Sequence, residues 1–261
     1  MPLPGEKTIT QEDRTMVNEA TISRLHEMKL SAMAACYRLQ MEDNAMHKLS
    51  FDERFGLLVD TEWTARKNNR LKRLIYRADF PICGACIEDV EYRADRKLSR
   101  EQIIHLSSCA YIAEKRNAII LGATGSGKTY LSCALGMAAC RHFHSVKYIR
   151  LPELLDELAV ARGEGIFQKA MQGYKKMDLL ILDEWLLIPL TDSEGRDLLE
   201  IVESRHGRCS TIFASQFDPA GWQMKIGEGP LAEAILDRIV HDSYTIFIDG
   251  QESMRKHKGI H

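Results

Sequence analysis

The residues best suited to chemistry in this sequence form one segment, Gly122-Ala123-Thr124-Gly125-Ser126-Gly127-Lys128-Thr129. The segment fits G-x-x-x-x-G-K-[ST], a pattern in which glycines let main-chain N–H groups approach a phosphate at a helix N-terminus. The pattern predicts that Lys128 reaches the β- and γ-phosphates of a bound nucleotide and that the Thr129 hydroxyl ligates Mg²⁺. The alternative is a chance match that binds no nucleotide.

The elements that would hold this loop flank it directly. The short apolar run 117–121 predicts a buried strand, and residues 130–138 predict a helix. Further β-prone runs alternate with helical segments, and they cover residues 146–149, 179–182, 211–214 and 244–248. This alternation predicts an α/β fold whose five-stranded parallel sheet is covered by helices on both faces.

Polar residues follow two of these predicted strands, at the edge where ligands bind in open α/β sheets. Asp183 and Glu184 end the third strand. Asp183 is placed to hold Mg²⁺, and Glu184 to polarise a water for attack on the γ-phosphate, unless Glu184 is only an N-cap acid of the next segment. Gln216, after the fourth strand, is a candidate to sense the γ-phosphate or orient the water; the alternative is a plain loop residue.

Two arginines lie late in the chain. Arg238 is on a predicted helix at 231–240, and Arg255 follows the last predicted strand. Either could stabilise the charge that develops during phosphoryl transfer, and the periodicity does not choose between them. The alternative for each is a surface ion pair.

Composition limits the classes of protein to consider. A length of 261 residues accommodates one large and one small domain, and a net charge of -2 gives no global basic signature. No apolar run approaches the roughly 20 residues that span a bilayer, and residues 1–18 lack a signal-peptide core, so we expect an intracellular protein without a membrane partner. Seven cysteines, an odd number, favour reduced thiols over a secreted disulfide framework.

The first 80 residues predict a small all-α domain. Residues 1 to about 18 are polar and are expected to fray, and apolar residues recur at helical spacing from Glu19 onward. We therefore expect a helical N-terminal domain at 1–80 that binds DNA or a protein partner, and a nucleotide-binding domain at 81–261.

A helix start is marked most clearly at Ser50. Ser50 and Glu53 match a capping box, in which each residue bonds to the backbone of the other. The helix that begins there should place Phe51 and Phe55 on one face and continue past Trp63.

The densest positive charge lies further along the same helix, with no acid in the run: Arg66, Lys67, Arg70, Lys72, Arg73 and Arg77. Such a run could follow a phosphate backbone, because phosphate contacts require charge rather than exact geometry. The alternative is a solvated helix face. The missing acid favours DNA binding, since a merely soluble helix usually carries both signs of charge.

A cysteine motif after this helix is a weaker signal. Cys83 and Cys86 form a CxxC, and His105 and Cys109 follow at a spacing that zinc tolerates. The apolar residues around His105 and Cys109 favour a plain helix over a metal knuckle. A redox role would need a thioredoxin-like context, which is absent from the pattern.

Several of these segments together resemble the IstB-like branch of AAA+ ATPases, which contains insertion-sequence ATP-binding proteins and related bacterial helicase loaders. The segments that carry the resemblance are GATGSGKT, LLILDE, TIFASQ, ILDRI and IDGQESMR, with LHEMKLSAMAACYRLQ and LSFDERFGLLVDTEW near the N-terminus. The resemblance therefore covers nearly the whole chain.

The resemblance implies an AAA+ core with sheet order 5-1-4-3-2, and it assigns roles to the residues already named. Lys128 and Thr129 would belong to the Walker A motif, and Asp183 and Glu184 to the Walker B motif. Gln216 would be the sensor 1 residue. Arg238 would be the arginine finger, and Arg255 would be a sensor-2-like residue. Sensor 1 is commonly Asn, so Gln216 departs from the pattern by one methylene. Because little sequence follows the last predicted strand, we expect the helical lid of many AAA+ proteins to be absent.

The function implied is an ATP- and Mg²⁺-dependent helper of transposition in the bacterial cytoplasm. It would assemble with other copies on double-stranded DNA in the ATP state, and recruit or activate a cognate transposase. A replicative helicase loader is the alternative on the same core. A small-molecule kinase is a third class, which the paired Asp183 and Glu184 disfavour.

Overall fold

The structure, a computed structural model, describes residues 11–93 and 96–249, apart from the side chains of 11–15 and 47. The chain divides into two compact units, Met1–Arg70 and Leu71–His261. The division falls within a helix, whereas the sequence pattern places the domain boundary after residue 80. Among the described residues, no helix combines the length and apolar character needed to cross a bilayer.

The first unit is built from helices. They are α1 (Gln11–Glu27), α2 (Ser31–Glu42), a short 3₁₀ helix (Asn44–Lys48) and α3 (Phe51–Ala78), which extends into the second unit's residues. The first helix starts at Gln11, so the expectation of a frayed segment to residue 18 is wrong for residues 11–18. The Tyr37 hydroxyl, on α2, donates to Asn18 Oδ1 at 2.9 Å, so this part of α1 is bonded to α2.

The start of α3 is capped as the sequence predicts. Glu53 N donates to Ser50 Oγ at 3.3 Å, and Ser50 N donates to Glu53 Oε2 at 2.8 Å. Phe51 and Phe55 do share a face and stack at 5.9 Å, but they are 71% and 52% exposed. Periodicity reports which residues share a face; it does not report whether another element covers that face.

The second unit contains a parallel five-stranded sheet. Its strands are β1 (Asn117–Gly122), β2 (Val146–Arg150), β3 (Leu179–Asp183), β4 (Ser210–Ser215) and β5 (Ser243–Ile248). All pairings are parallel, and the order is β2-β3-β4-β1-β5. This is the predicted order 5-1-4-3-2 seen from the other edge, so the fold class is confirmed.

Helices cover both faces of the sheet and form two apolar cores. Within the described residues they are α4 (Arg100–Ser107), α5 (Ala110–Ala113), α6 (Lys128–Arg141), α7 (Leu151–Gly163), α8 (Phe167–Lys175), α9 (Asp192–Arg205), α10 (Pro219–Ile226) and α11 (Pro230–Val240). The core on one face includes α4, α5 and α6, and the core on the other includes α7 to α11. Because β1, β3 and β4 are neighbours and run in parallel, their carboxyl ends meet at one edge.

One buried cation joins several elements of the second core. Arg205, at the end of α9, is 2% exposed, and burial lowers its pKa to about 10. Its guanidinium donates to the carbonyl oxygens of Tyr174, Met177 and Ser210 and to Thr211 Oγ1. These contacts tie α9 to the end of α8 and to the start of β4.

We expect Arg205→Leu to lower the free energy of unfolding by at least about 2 kcal/mol, because one buried acceptor left without a partner costs about 1–3 kcal/mol. Urea unfolding followed by circular dichroism measures this change. The matched control is Arg208→Leu, since Arg208 is exposed and its replacement should change stability by less than about 0.5 kcal/mol. Equal losses in the two variants would contradict the assignment.

Candidate functional site

The glycine-rich loop connects the carboxyl end of β1 to the start of α6, as the sequence predicts. Gly127 is the N-cap of α6 with φ 100°, a conformation that L side chains rarely adopt. At Gly122, an added Cβ would lie 2.5 Å from the carbonyl oxygen of Ile248. Glycine is therefore required at both positions for different reasons, conformation at one and close packing at the other.

Lys128 is buried at the base of this loop. Its Nζ donates to the carbonyl oxygens of Gly122 and Ala123 at 2.7 and 2.9 Å. Burial lowers the pKa of Lys128, and the nearby Asp183 carboxylate opposes that shift. Phosphate oxygens in the loop would favour the charged form of Lys128 in the same way.

Asp183 forms the centre of the polar cluster at this edge of the sheet. Its Oδ2 accepts from Thr129 Oγ1 at 2.6 Å and from the Tyr148 hydroxyl at 2.7 Å, and its Oδ1 accepts from Glu184 N at 2.8 Å. A hydroxyl beside a carboxylate is an oxygen donor set of the kind that Mg²⁺ prefers. The predicted pair Thr129 and Asp183 thus fits Mg²⁺.

Tyr148 is a member of this cluster that the sequence analysis missed. It lies on β2 and is 6% exposed, and burial together with the Asp183 charge raises its pKa well above the usual range. No sequence signal distinguishes it, because tyrosine is also an ordinary residue of a buried strand.

Glu184 follows Asp183 with a backbone that few non-glycine residues adopt, φ 53°. Its carboxylate lies 3.8 Å from the guanidinium of Arg150, which also pairs with Glu153. The side chain of Glu184 is 37% exposed, so water can reach it. Arg150, at the end of β2, was not predicted to belong to the site.

Gln216 extends from the end of β4 to the glycine-rich loop. Its Oε1 accepts from Thr124 Oγ1 at 2.9 Å. The extra methylene relative to asparagine therefore does not prevent contact with the loop. Lys128, Thr129, Asp183, Glu184 and Gln216 all lie at the edge formed by the ends of β1, β3 and β4.

A cavity of about 490 Å³ borders the loop and α6. Its lining includes the apolar residues Ile82, Val90 and Leu98 from the segment before β1. Arg96 holds this segment against the loop by donating to Ser126 O at 2.8 Å and to Glu91 O at 2.9 Å. The size suits a small organic ligand, and the apolar lining suits a flat ring system beside the phosphate site. No role was predicted from the sequence for these apolar residues.

Residues of the cysteine motif have protein partners. Cys86 Sγ donates to Glu88 and lies 3.8 Å from Arg141, and Cys83 Sγ donates to Phe80 O at 3.4 Å. Cys109 lies between α4 and α5 with φ 63°, so the expectation that it is helical is wrong. The described residues contain no group of three or more His, Cys, Asp or Glu arranged to hold a metal ion.

The predicted arginines are placed differently. Arg238 lies on α11 and donates to Ala234 O and to Glu203 Oε1, each at 2.9 Å. Among the described residues, neither hydrogen bond involves Lys128 or Glu184. Its side chain is 28% exposed. Arg255 lies outside the described residues.

All six cations of the predicted DNA-binding run lie on α3 and are exposed. Arg66 also has a structural contact, because its Nε donates to Glu62 Oε1 at 2.8 Å. Glu62 Oε2 in turn accepts from the backbone of Ala32 and Met33 at the start of α2, and the Arg66 hydrogen bond lowers the pKa of Glu62. Lys67 Nζ lies 3.5 Å from the centre of the Trp63 ring.

Several solved structures share the fold of this chain. The replication initiator DnaA bound to AMPPCP and single-stranded DNA matches with a TM-score of 0.56 and 18% identity, over 67% of this chain and 54% of the DnaA chain. A crystal structure of DnaI matches with a TM-score of 0.53 and 26% identity, over 64% of this chain and 89% of the DnaI chain. The first likeness, at its low identity, shows the fold alone.

Sequence relatives are more similar. The ATP-binding protein of insertion sequence IS1162 from Pseudomonas fluorescens is 42% identical over 77% of this chain and 87% of its own length. The insertion-sequence ATP-binding protein y4pL of Sinorhizobium fredii is 39% identical over 93% of this chain and 98% of its own length. The family described as IstB-like ATP binding protein matches residues 23–260. The family match covers almost the whole chain, and a relative is 39% identical over 93% of it. The chain therefore belongs to the IstB-like ATP-binding protein family.

Proposed function

We propose that this protein is an ATP-hydrolysing, DNA-binding regulator of transposition. The observation that carries the proposal is the cluster of Thr129, Asp183, Glu184 and Gln216 beside the glycine-rich loop. The insertion-sequence names of its relatives support the setting. In the ATP state the protein would assemble on double-stranded DNA and recruit or activate a cognate transposase, and hydrolysis would reset it.

Each residue of the site has a task in hydrolysis. The loop from Gly122 to Thr129 binds the phosphates, and Lys128 supplies positive charge. Thr129 and Asp183 would hold Mg²⁺, which would supply further positive charge beside the phosphates. Glu184 accepts a proton from the attacking water, which Gln216 helps to orient.

The exposed cations of α3 are the proposed DNA contacts. Lys72, Arg73 and Arg77 have exposed side chains, as do Arg66, Lys67 and Arg70. Charge in this arrangement favours phosphates of any sequence, so the contacts would supply affinity rather than sequence recognition.

A replicative helicase loader is a second candidate. A solved structure of the DnaC helicase loader shares the fold of this chain, with a TM-score of 0.53, and this shared fold favours the second candidate. The two functions differ in partner. Affinity capture from the host would recover a transposase under the first proposal and a replicative helicase under the second.

We expect Lys128→Ala to weaken ATP binding at least about tenfold, because it removes a charge-assisted contact to the phosphates, worth about 1.5–3 kcal/mol. Glu184→Gln should bind ATP normally, hydrolyse it at least about 100-fold more slowly and remain on DNA, since the loss of a general base costs about 10²–10⁴ in rate. Nucleotide binding, phosphate release and DNA retention measure the three properties. Normal phosphate release by Glu184→Gln would contradict the general-base role.

For DNA binding, we expect replacement of Arg70, Lys72 and Arg73 by Ala to flatten the slope of log affinity against log salt by about 2.7 units per protomer, or about 0.9 per phosphate contact. The effect should not depend on DNA sequence.

The control variant replaces by Ala three exposed cations that lie outside α3, namely Lys169, Arg196 and Arg208. Fluorescence anisotropy over a range of salt concentrations measures both slopes. A slope that is unchanged in the α3 variant and flattened in the control would place the DNA site on the ATPase core instead.

We also propose that Arg238 completes the site of a neighbouring copy. Arg238→Ala should then lose about 10³-fold or more in hydrolysis while still binding ATP, because an arginine finger contributes about 10³–10⁵ in rate. Mixing Arg238→Ala with Lys128→Ala should restore partial activity, since some interfaces pair an intact loop with an intact arginine.

Glu203→Gln provides the matched control for Arg238. It removes the ion-pair partner of Arg238, and an exposed pair contributes only about 0–1 kcal/mol to stability. Hydrolysis by Glu203→Gln should therefore stay near the wild-type rate. Co-assembly of the two inactive variants without recovered activity would exclude an arginine supplied by the neighbour.

A further inference from the structure

The hydroxyl of Ser215, the last residue of β4, makes all the hydrogen bonds that a serine hydroxyl can make. It is 1% exposed. Its Oγ donates to Trp185 O at 2.9 Å and accepts from Trp222 Nε1 at 2.9 Å and from Phe217 N at 3.1 Å. A serine hydroxyl has one donor and two acceptor sites, so these three contacts fix its orientation completely.

The contact to Trp185 holds a turn with an unusual backbone. Glu184 and Leu186, on either side of Trp185, have φ values of 53° and 51°. Non-glycine residues keep such a conformation only where surrounding contacts impose it. The hydrogen bonds that impose it here come from the end of β4: Trp185 N donates to Ala214 O at 2.9 Å, and Ser215 Oγ binds Trp185 O.

Aromatic packing fixes the same turn from the core side. The Trp185 ring is fully buried, 4.6 Å from the Phe213 ring and 5.9 Å from the Trp222 ring, both in edge-on contact. Trp222 lies on α10 and is also fully buried. The indole of Trp222 therefore packs against Trp185 and also donates the hydrogen bond that orients Ser215.

Ser215 also supports the backbone around Gln216, another polar residue of the site. Gln216 follows Ser215 in the chain and contacts Thr124 of the glycine-rich loop. Ser215 Oγ also accepts from Phe217 N, so it holds the backbone on the far side of Gln216. One hydroxyl thus binds the turn after Glu184 and the turn that contains Gln216.

We propose that Ser215, oriented by Trp222, is a positioning residue for ATP hydrolysis. It fixes the distance between the backbones that carry Glu184 and Gln216, so that both side chains address the same phosphate and water. Ser215 acts through these two residues and does not contact the nucleotide. The inference rests on the proposed hydrolysis and deepens it.

A purely structural role for the same hydrogen bonds makes a different prediction. Loss of a buried hydrogen bond lowers stability in either case. Only a positioning role lowers kcat while leaving ATP affinity unchanged, because the glycine-rich loop and Lys128 are untouched. A misplacement of about 1 Å can reduce a rate roughly 100-fold.

The test compares Ser215→Ala with Ser210→Ala. Ser210 lies at the other end of β4, is fully buried, and donates to Tyr111 O at 3.2 Å, so the two variants remove the same group from the same strand. We expect Ser215→Ala to lower kcat roughly 10- to 100-fold, with the affinity for a non-hydrolysable ATP analogue within about twofold of wild type. Ser210→Ala should leave both quantities near wild type.

A second variant, Trp222→Phe, keeps an aromatic ring in the core and removes only the N–H donor to Ser215. It should lower kcat in the same direction, and it tests the inference even where Ser215→Ala fails to fold. A kcat equal to that of Ser210→Ala in both variants would overturn the inference and leave the proposed function intact. Absence of hydrolysis in the wild-type protein would overturn the proposed function and this inference with it.

Discussion

The buried carboxylate of Asp183 is the interaction on which this site depends. It is 3% exposed, and a charge so placed is costly unless neighbouring donors satisfy it. Those donors come from β2, from α6 and from the next residue of its own chain: Tyr148, Thr129 and the Glu184 backbone. Satisfying one carboxylate therefore brings three parts of the fold together. The same contacts orient the oxygen atoms that fit Mg²⁺.

Sequence reasoning found the residues whose positions a motif or a strand end fixes, and it missed those defined by distant contacts. The glycine-rich loop and Asp183 were predictable because a strand must precede each of them. Tyr148 and the apolar lining of the cavity were not, since their role depends on which elements pack together. The exposed Phe51 and Phe55 show the same limit, because a helical period does not reveal what covers a face.

Two cations with proposed functions also have partners within the fold. Arg66 binds Glu62, which in turn holds the start of α2, and Arg238 pairs with Glu203. The pairs differ in environment, because Glu62 is largely buried and Glu203 is largely exposed. An exposed pair contributes little and can exchange for another anion, whereas release of Arg66 would leave a buried carboxylate short of one donor. Release of Arg238 from Glu203 would therefore leave no buried carboxylate short of a donor.

The order of the sheet has a consequence for how the protein is made. Strand β1, which leads into the glycine-rich loop, pairs only with β4 and β5 among the described strands, so Ala118 lies beside Ile212 and Tyr244. During synthesis, β1 therefore cannot pair with another strand until most of the second unit has left the ribosome. Contacts so distant in sequence slow folding and keep an apolar strand uncovered. The edge of the sheet that carries the glycine-rich loop therefore requires most of the second unit in order to form.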